Sequence, residues 1–373
     1  MRNTSYSNSS PRLQSLDILR GADLFLLGIF QPLFMAFARS SEIPFVKNAT
    51  VHFTHVSWEG FALWDMVMPL FMFMAGTSMP FSMSKYATPA AFYGKMTKRV
   101  LILFILGMLV QGNLLALHID HWRFFSNTLQ AIAVGYLIAA LFLRNLPVLG
   151  QVIGTITLLG IYTGLMLWGG DFTPEGNFAE KIDKLVLGRF RDGVYWNESG
   201  WHFSDNYHYT WILSSINFGA TVMTGALAGQ ILKNKPTGMS KITSLLFWGT
   251  LMLISGLFMS YLIPIIKTIW STSMVLFTSG ISFLLMALFY YIVDFKRWGY
   301  GLEWLKIFGM NSIAAYLLFE VVHHPLNRFL HNFLYGFEQY TGTYYPLLLN
   351  MASCGVIFAL LMTMYQKRVF LKV

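Results

Sequence analysis

The chain has 373 residues, 55% of them hydrophobic and only 12% charged, with a mean hydropathy of +0.53. Soluble domains carry about 25% charged residues, so this chain cannot cover itself with polar surface and takes lipid as its solvent. Cys354 is the only cysteine, which excludes an intrachain disulfide, a cysteine-rich zinc site and a Cys-x-x-Cys redox pair. The net charge of +9 invites a nucleic-acid partner, but the placement of the basic residues argues for no nucleic acid.

Residues 1–15 are polar and rich in Ser and Asn, and read as a cytoplasmic tail. The first apolar run, Ile18 to Ala38, has no small-residue cleavage site behind it, so it reads as a first transmembrane helix and not as a signal peptide. Apolar windows near the bilayer-spanning length of about 20 residues fall at 18–38, 61–83, 99–117, 127–143, 147–168, 211–232, 242–265, 271–293, 305–322 and 346–366. The segment 323–345 holds His323, His324, Pro325, Asn327, Arg328 and His331. It is too polar for a lipid-facing span and reads as a re-entrant or surface element.

Ten spans with an inside N-terminus gather most of the basic residues on one side. These are Arg2, Arg12 and Arg20; Lys85, Lys95, Lys98 and Arg99; Arg144; Lys233, Lys235 and Lys241; Lys296, Arg297 and Lys306; Lys367, Arg368 and Lys372. The pattern follows the positive-inside rule and accounts for the basic balance. The reading is an all-α polytopic membrane protein of about ten transmembrane helices, one domain over 1–373, both termini cytoplasmic. One long outside loop, 170–210, carries Trp196, Trp201, His202, Asp205, Tyr207 and His208. Such aromatics suit either an interfacial belt or a sugar face.

Polar groups inside spans are costly and usually face an interior cavity. Asp17, Arg20 and Asp23 share one face at the inner end of the first helix, as an ion pair or an anion site. Gln31 lies deeper in that helix. Asp65 lies early in the second, where a carboxylate needs a partner. Gln111, Asn113, Gln130, Asn217, Lys267, Asn311 and Glu320 sit in or near later spans. Singly, such amides glue helices together; together they suggest a polar chamber. On the outside entry to the second span, His55 can carry a proton near neutral pH, and Glu59, four residues on, could hold its ring if the segment were helical. His52 and His55 have no third ligand nearby in sequence, so no metal is expected.

The opening Arg12-Leu13-Gln14-Ser15-Leu16-Asp17-Ile18-Leu19-Arg20-Gly21 resembles that of the heparan-α-glucosaminide N-acetyltransferase family. His55-Val56-Ser57-Trp58-Glu59-Gly60, continuing to Asp65, Pro69, Gly76 and Ser78, is similar to the family's most specific motif at unchanged spacing. Leu129-Gln130, Ser215-Ile216-Asn217, the run Pro264 to Ser273 and Gly309-Met310-Asn311-Ser312-Ile313 are similar to later family motifs. Two departures stand out. The family's helix-1 asparagine is Gln31 here, and the arginine after its leucine–glutamine pair is Ala131.

The resemblance implies a transmembrane acetyltransferase that moves acetyl from cytosolic acetyl-CoA to a terminal glucosamine or glycosaminoglycan amine across the membrane. His55 would be the general base or acetyl carrier, helped by Gln31, Asp65 and Glu59. Arg20, Lys98 and Arg99, on the inside face, would meet CoA phosphates, with Gln130, Asn311 and Ser312 also on the cofactor. Trp58, Lys267, Trp270 and Asn217 would meet the acceptor. It also implies a homodimer, and the lack of the family's luminal domain and of disulfides suggests a bacterial inner membrane with the acceptor side facing the periplasm. O-acetyl transfer to a cell-envelope glycan and transport of a small polar solute remain as alternatives.

Overall fold

The computed structural model describes residues 13–83 and 88–371, and each of the ten predicted windows contains helix within it. Among the described residues, seven helices are long and apolar enough to cross a membrane: Gln14–Ser40, Leu63–Met83, Thr128–Asn145, Val148–Gly169, Gly238–Met259, Thr272–Phe295 and Ser312–Gln366, the last a run of 55 residues. Pro89–Val110 and Ser214–Asn234 are as long, at 22 and 21 residues, but are not among the seven. The protein is an all-α integral membrane protein. Arg2, Arg12, Lys85 and Lys372 lie outside the described residues.

Local sequence sets several helix starts. Side chains of Thr88, Asn127, Thr237 and Ser271 cap the first turns of the helices that follow them, satisfying donors that would otherwise be orphaned. The window 99–117 is displaced: the helix begins at Pro89, a favoured first position, and stops at Val110 before Gln111 and Gly112. The polar segment 323–345 is mostly helical. The run from Ser312 passes through a π-helical turn, Leu318–Val322, into His323–Leu334, then through short turns into Tyr345–Gln366.

Small residues bring the helices into backbone contact. Leu63–Met83 lies along Ser214–Asn234; a Cβ at Gly76 would run into the Val222 carbonyl, and one at Gly225 into the Phe73 carbonyl. Close approach through small residues is how helices associate where lipid is as apolar as the side chains. Gly21 and Gly309 do the same between Gln14–Phe25 and Leu305–Met310.

The bundle has two polar ends, each tied by hydrogen bonds between segments remote in sequence. At one, Trp58 reaches Phe172, Arg123 reaches Asp192 and Thr210 reaches Thr268. At the other, called here the far end, Ser15 reaches Asp294, Lys233 reaches Pro80 and Asn311 reaches Val369. A two-stranded hairpin, β1 (Val194–Asn197) and β2 (Gly200–Phe203), projects from the first end.

Gly225→Val should therefore cost more than the about 1–3 kcal/mol of ordinary overpacking, since backbone atoms cannot move aside. Loss of the monodisperse peak in detergent chromatography is the expected result. Gly160→Ala, which meets nothing within 4 Å, should leave the protein's melting temperature unchanged.

Candidate active site

The path from the first helix to the second builds the site. After a short helix, Pro44–Ala49, and a 3-10 turn, Thr50–Phe53, the chain becomes extended at Thr54. Residues 54–62 then cross the end of the bundle without forming helix. Glu59 pairs antiparallel with Ile266, and the Gly60 N–H donates to the Ile265 carbonyl at 2.9 Å. Gly60 has φ +121°, a conformation other residues rarely adopt. This pairing draws the 264–271 loop against the His55 segment.

Asp65 sits in the first turn of the second span, where an acidic side chain is favoured by the unpaired N–H groups and the helix dipole. Its Oδ2 accepts the Ala62 N–H at 2.9 Å. That leaves Oδ1 directed at His55 Nδ1, 2.7 Å away. The carboxylate is 2% exposed and the imidazole 42%. A buried acid thus holds a ring whose other edge is accessible.

Lys267 completes the cluster. Its loop is fixed on all sides: the Asn217 amide donates to the Trp270 carbonyl at 2.7 Å, Ser214 and Tyr162 donate to the Ile269 carbonyl, and the Thr210 N–H donates to the Thr268 carbonyl at 3.0 Å. Trp270, at φ +54°, is held in this rare conformation by those bonds. Lys267 Nζ lies 2.9 Å from His55 Nδ1, 3.2 Å from His55 Nε2 and 3.5 Å from Asp65 Oδ1. One ring nitrogen cannot both donate to Asp65 and accept from Lys267. The shorter contact to a buried carboxylate assigns the proton to Nδ1 and leaves Nε2 as the basic lone pair. Burial brings Lys267 down to about 8, against the opposing pull of the Asp65 charge.

The ring and the ammonium open into a cavity of about 350 Å³. Its walls include Asp192, Tyr207, Glu320 and Gln111. Asp192 accepts from the Tyr207 hydroxyl at 2.6 Å and pairs with Arg123 at 2.8 Å. Glu320 stands on the π-helical turn Leu318–Val322, and has no hydrogen-bond or ion-pair partner among the described residues. Such turns recur at functional sites.

Other residues singled out from the sequence fall elsewhere. Gln31 does not line this cavity; its amide donates to the Phe53 carbonyl at 3.2 Å and braces the turn before His55. Glu59 is exposed, and because 54–62 is not helical the spacing expected to bring it to His55 does not arise; Asp65 holds the ring instead. The Trp58 indole donates to the Phe172 carbonyl at 2.8 Å and packs on His208. Trp270 and Asn217 shape the lysine loop from within the core. Gln130 belongs to the His55 end, where it accepts from the Ser126 N–H and donates to the Phe124 carbonyl.

Toward the far end, Arg20 lies near Asp17 and bonds the Met74 carbonyl. Arg99 covers the Tyr136 ring, and Lys98 is exposed. Asn311, just before Ser312, ties Val369 and Leu371. The large recess there, about 850 Å³, is lined instead by Lys233, Lys241 and Arg297, with Asp294 and Glu303. Asp192 and Arg123 were not legible as site residues, because they are 69 positions apart in sequence; Tyr207 was noted only as one of the outside-loop aromatics. Glu320 carried one signal, a carboxylate in an apolar window.

Residues 12–172 match the family described as heparan-alpha-glucosaminide N-acetyltransferase, catalytic. This stretch, under half of the chain, is similar to that family. It is similar to the heparan-alpha-glucosaminide N-acetyltransferase of Homo sapiens, at 25% identity over 97% of this chain and 60% of the human protein. The Mus musculus protein of the same name matches at 24%, over 98% and 61%. The chain therefore spans about 60% of the length of the curated relatives it matches. The residues matched to the family's catalytic region include His55 and Asp65, while Lys267 lies beyond them.

The lysine's charge state tests the cluster. With Lys267 at about 8, about a tenth is neutral at pH 7. Asp65 raises this value, so Asp65→Asn should lower it and increase the neutral, nucleophilic fraction, up to about tenfold. Amine-directed labelling of Lys267 at pH 7, read by mass spectrometry, should accelerate accordingly; an unchanged rate would mean that the Asp65 charge does not support the ammonium.

Proposed function

We propose that the protein is a transmembrane acetyltransferase that moves acetyl from cytosolic acetyl-CoA to the amine of a terminal glucosamine or related amino sugar on the opposite side. The observation that carries this reading is the His55–Asp65–Lys267 cluster at the mouth of a cavity that also presents Glu320 and Asp192.

An amino sugar arrives as an ammonium, which is not nucleophilic. The Glu320 carboxylate suits the cation and favours an amine acceptor over a hydroxyl. His55 Nε2 then takes a proton as the amine nitrogen attacks the thioester carbonyl. Asp65 keeps the ring in the tautomer that leaves Nε2 free. Lys267, still largely protonated at neutral pH, stabilises the oxyanion of the tetrahedral intermediate. Collapse of that intermediate breaks the C–S bond; the second amine proton passes to the departing CoA thiolate as the amide forms, and the first, taken up by His55, leaves to solvent. In a second route Nε2 itself attacks the thioester, releases CoA and carries the acetyl group to the amine.

Cytosolic acetyl-CoA would enter from the far end. The basic residues there, including Lys95, Lys98, Arg144, Lys235 and Arg368, support a cytosolic orientation of that end by the positive-inside rule. Lys233, Lys241 and Arg297 around the recess offer counter-charges for CoA phosphates.

Purified protein in detergent, given acetyl-CoA and glucosamine, should release free CoA and form the acetylated sugar. His55→Ala should lower the rate about 100-fold or more, the usual contribution of a positioned base. Turnover retained in His55→Ala would remove His55 from the chemistry. CoA release with hydroxyl sugars alone would move the acceptor to an O-acetyl class, and solute flux without CoA release would make the protein a transporter.

A further inference from the structure

The β1–β2 hairpin grows directly from the wall of the His55 cavity. Asp192 lines the cavity and is followed by Gly193 and β1; β2 is followed by Ser204 and then Tyr207, which lines the cavity again. The base of the hairpin is closed by the Asp192–Tyr207 hydrogen bond at 2.6 Å and by the Ser204 N–H to the Gly193 carbonyl at 2.8 Å. Gly193 has φ +76°, and a Cβ there would meet the Tyr207 ring. The joint between cavity wall and hairpin is therefore fixed.

Trp196 and Trp201 are directly opposite one another in the antiparallel register, so both indoles stand on the same face. Trp196 is 37% exposed and Trp201 40%. Each ring is braced from the side, Trp196 by His121 at 5.6 Å and Trp201 by Phe203 at 5.2 Å. The tip is stiffened by Asn197, whose side chain accepts from the Ser199 N–H at 3.0 Å and from its hydroxyl. At about 3.4 Å per strand residue, the tryptophan pair lies about 10 Å along β1 from Gly193.

We infer that this hairpin is a saccharide subsite, which binds sugar units behind the terminal one that enters the His55 cavity. The assignment rests on the acetyl-transfer reading for what the cavity holds. The apolar C–H face of a pyranose packs on an indole, whose electron-rich face attracts polarised C–H bonds; Asn197 and His202 belong to the other face, where they bond one another at 3.1 Å, so the subsite acts by stacking. Residues 194–203 contain Glu198 but no Lys or Arg. The cations beside the hairpin are already paired, Lys184 with Glu180 and Arg189 with Asp120, so neutral or lightly charged sugars suit the hairpin better than a densely sulfated chain.

Two acceptors with the same single amine separate this subsite from the cavity: glucosamine, and a trisaccharide in which a terminal glucosamine is followed by two N-acetylglucosamine units. The purified wild-type protein should show a lower KM for the trisaccharide. In Trp196→Ala/Trp201→Ala the trisaccharide KM should rise about tenfold, with kcat and the glucosamine KM unchanged. Trp196→Phe/Trp201→Phe should restore most of the difference. Equal KM values in wild type, or losses shared by both acceptors, would overturn the subsite and leave an interfacial anchor. If wild type acetylates neither sugar, the acetyl-transfer reading falls. Calorimetric binding of the trisaccharide then decides the hairpin alone: binding lost in the Ala pair supports the subsite, and no binding to wild type overturns it.

Discussion

A buried carboxylate organises this end of the molecule. Asp65 is 2% exposed, and a charge so placed is strongly unfavourable unless paired and hydrogen-bonded. It meets that requirement with three elements at once: the first turn of its own helix through Ala62, the His55 ring, and the Lys267 ammonium. Removing any one of the three leaves the others under-satisfied. The irregular crossing 54–62 and the strained loop around Trp270 are held in register by this shared need.

The scaffold makes that convergence possible because its helices approach to backbone contact. Gly76 and Gly225 let the second span lie against Ser214–Asn234, and the N-terminal end of the latter supplies Ser214 and Asn217 to pin the lysine loop. Packing in the bundle thus reaches the chemistry through two hydrogen bonds to main-chain carbonyls. Many polar residues that looked available for ligands, among them Gln31, Gln130, Asn217 and Asn311, are occupied in this structural work. Each holds a loop carbonyl or N–H that the apolar surroundings could not satisfy.

The two ends of the bundle differ in character. The His55 end is aromatic and hydrogen-bonded, with ion pairs buried under the long loop: Glu180 contacts Arg191, Lys184 and His208. Those cations and hydrogen bonds outweigh burial and hold the Glu180 carboxyl below its ordinary range. In contrast, burial raises neighbouring Asp183 to about 7 despite bonds from the Trp211 and Ile212 N–H groups. The loop is therefore an ordered platform for the hairpin. The far end instead collects lysines and arginines around a wide recess.

The sequence by itself determined the solvent, the class of fold and most but not all helix positions, because about 20 apolar residues suit lipid and because caps such as Asn127 and Thr237 are local. It also marked Asp65, Lys267 and Glu320, since a charge in or beside an apolar window is conspicuous on energetic grounds alone. It placed Glu59 beside His55 only by assuming a helix, and the Glu59–Ile266 pairing, a contact across more than 200 residues, decided otherwise. The meeting of His55 with Lys267, and the entry of Asp192 and Tyr207 into the same wall, belong to tertiary structure. They depend on which helix ends share one side of the bundle and on loops whose shape is set by partners remote in sequence.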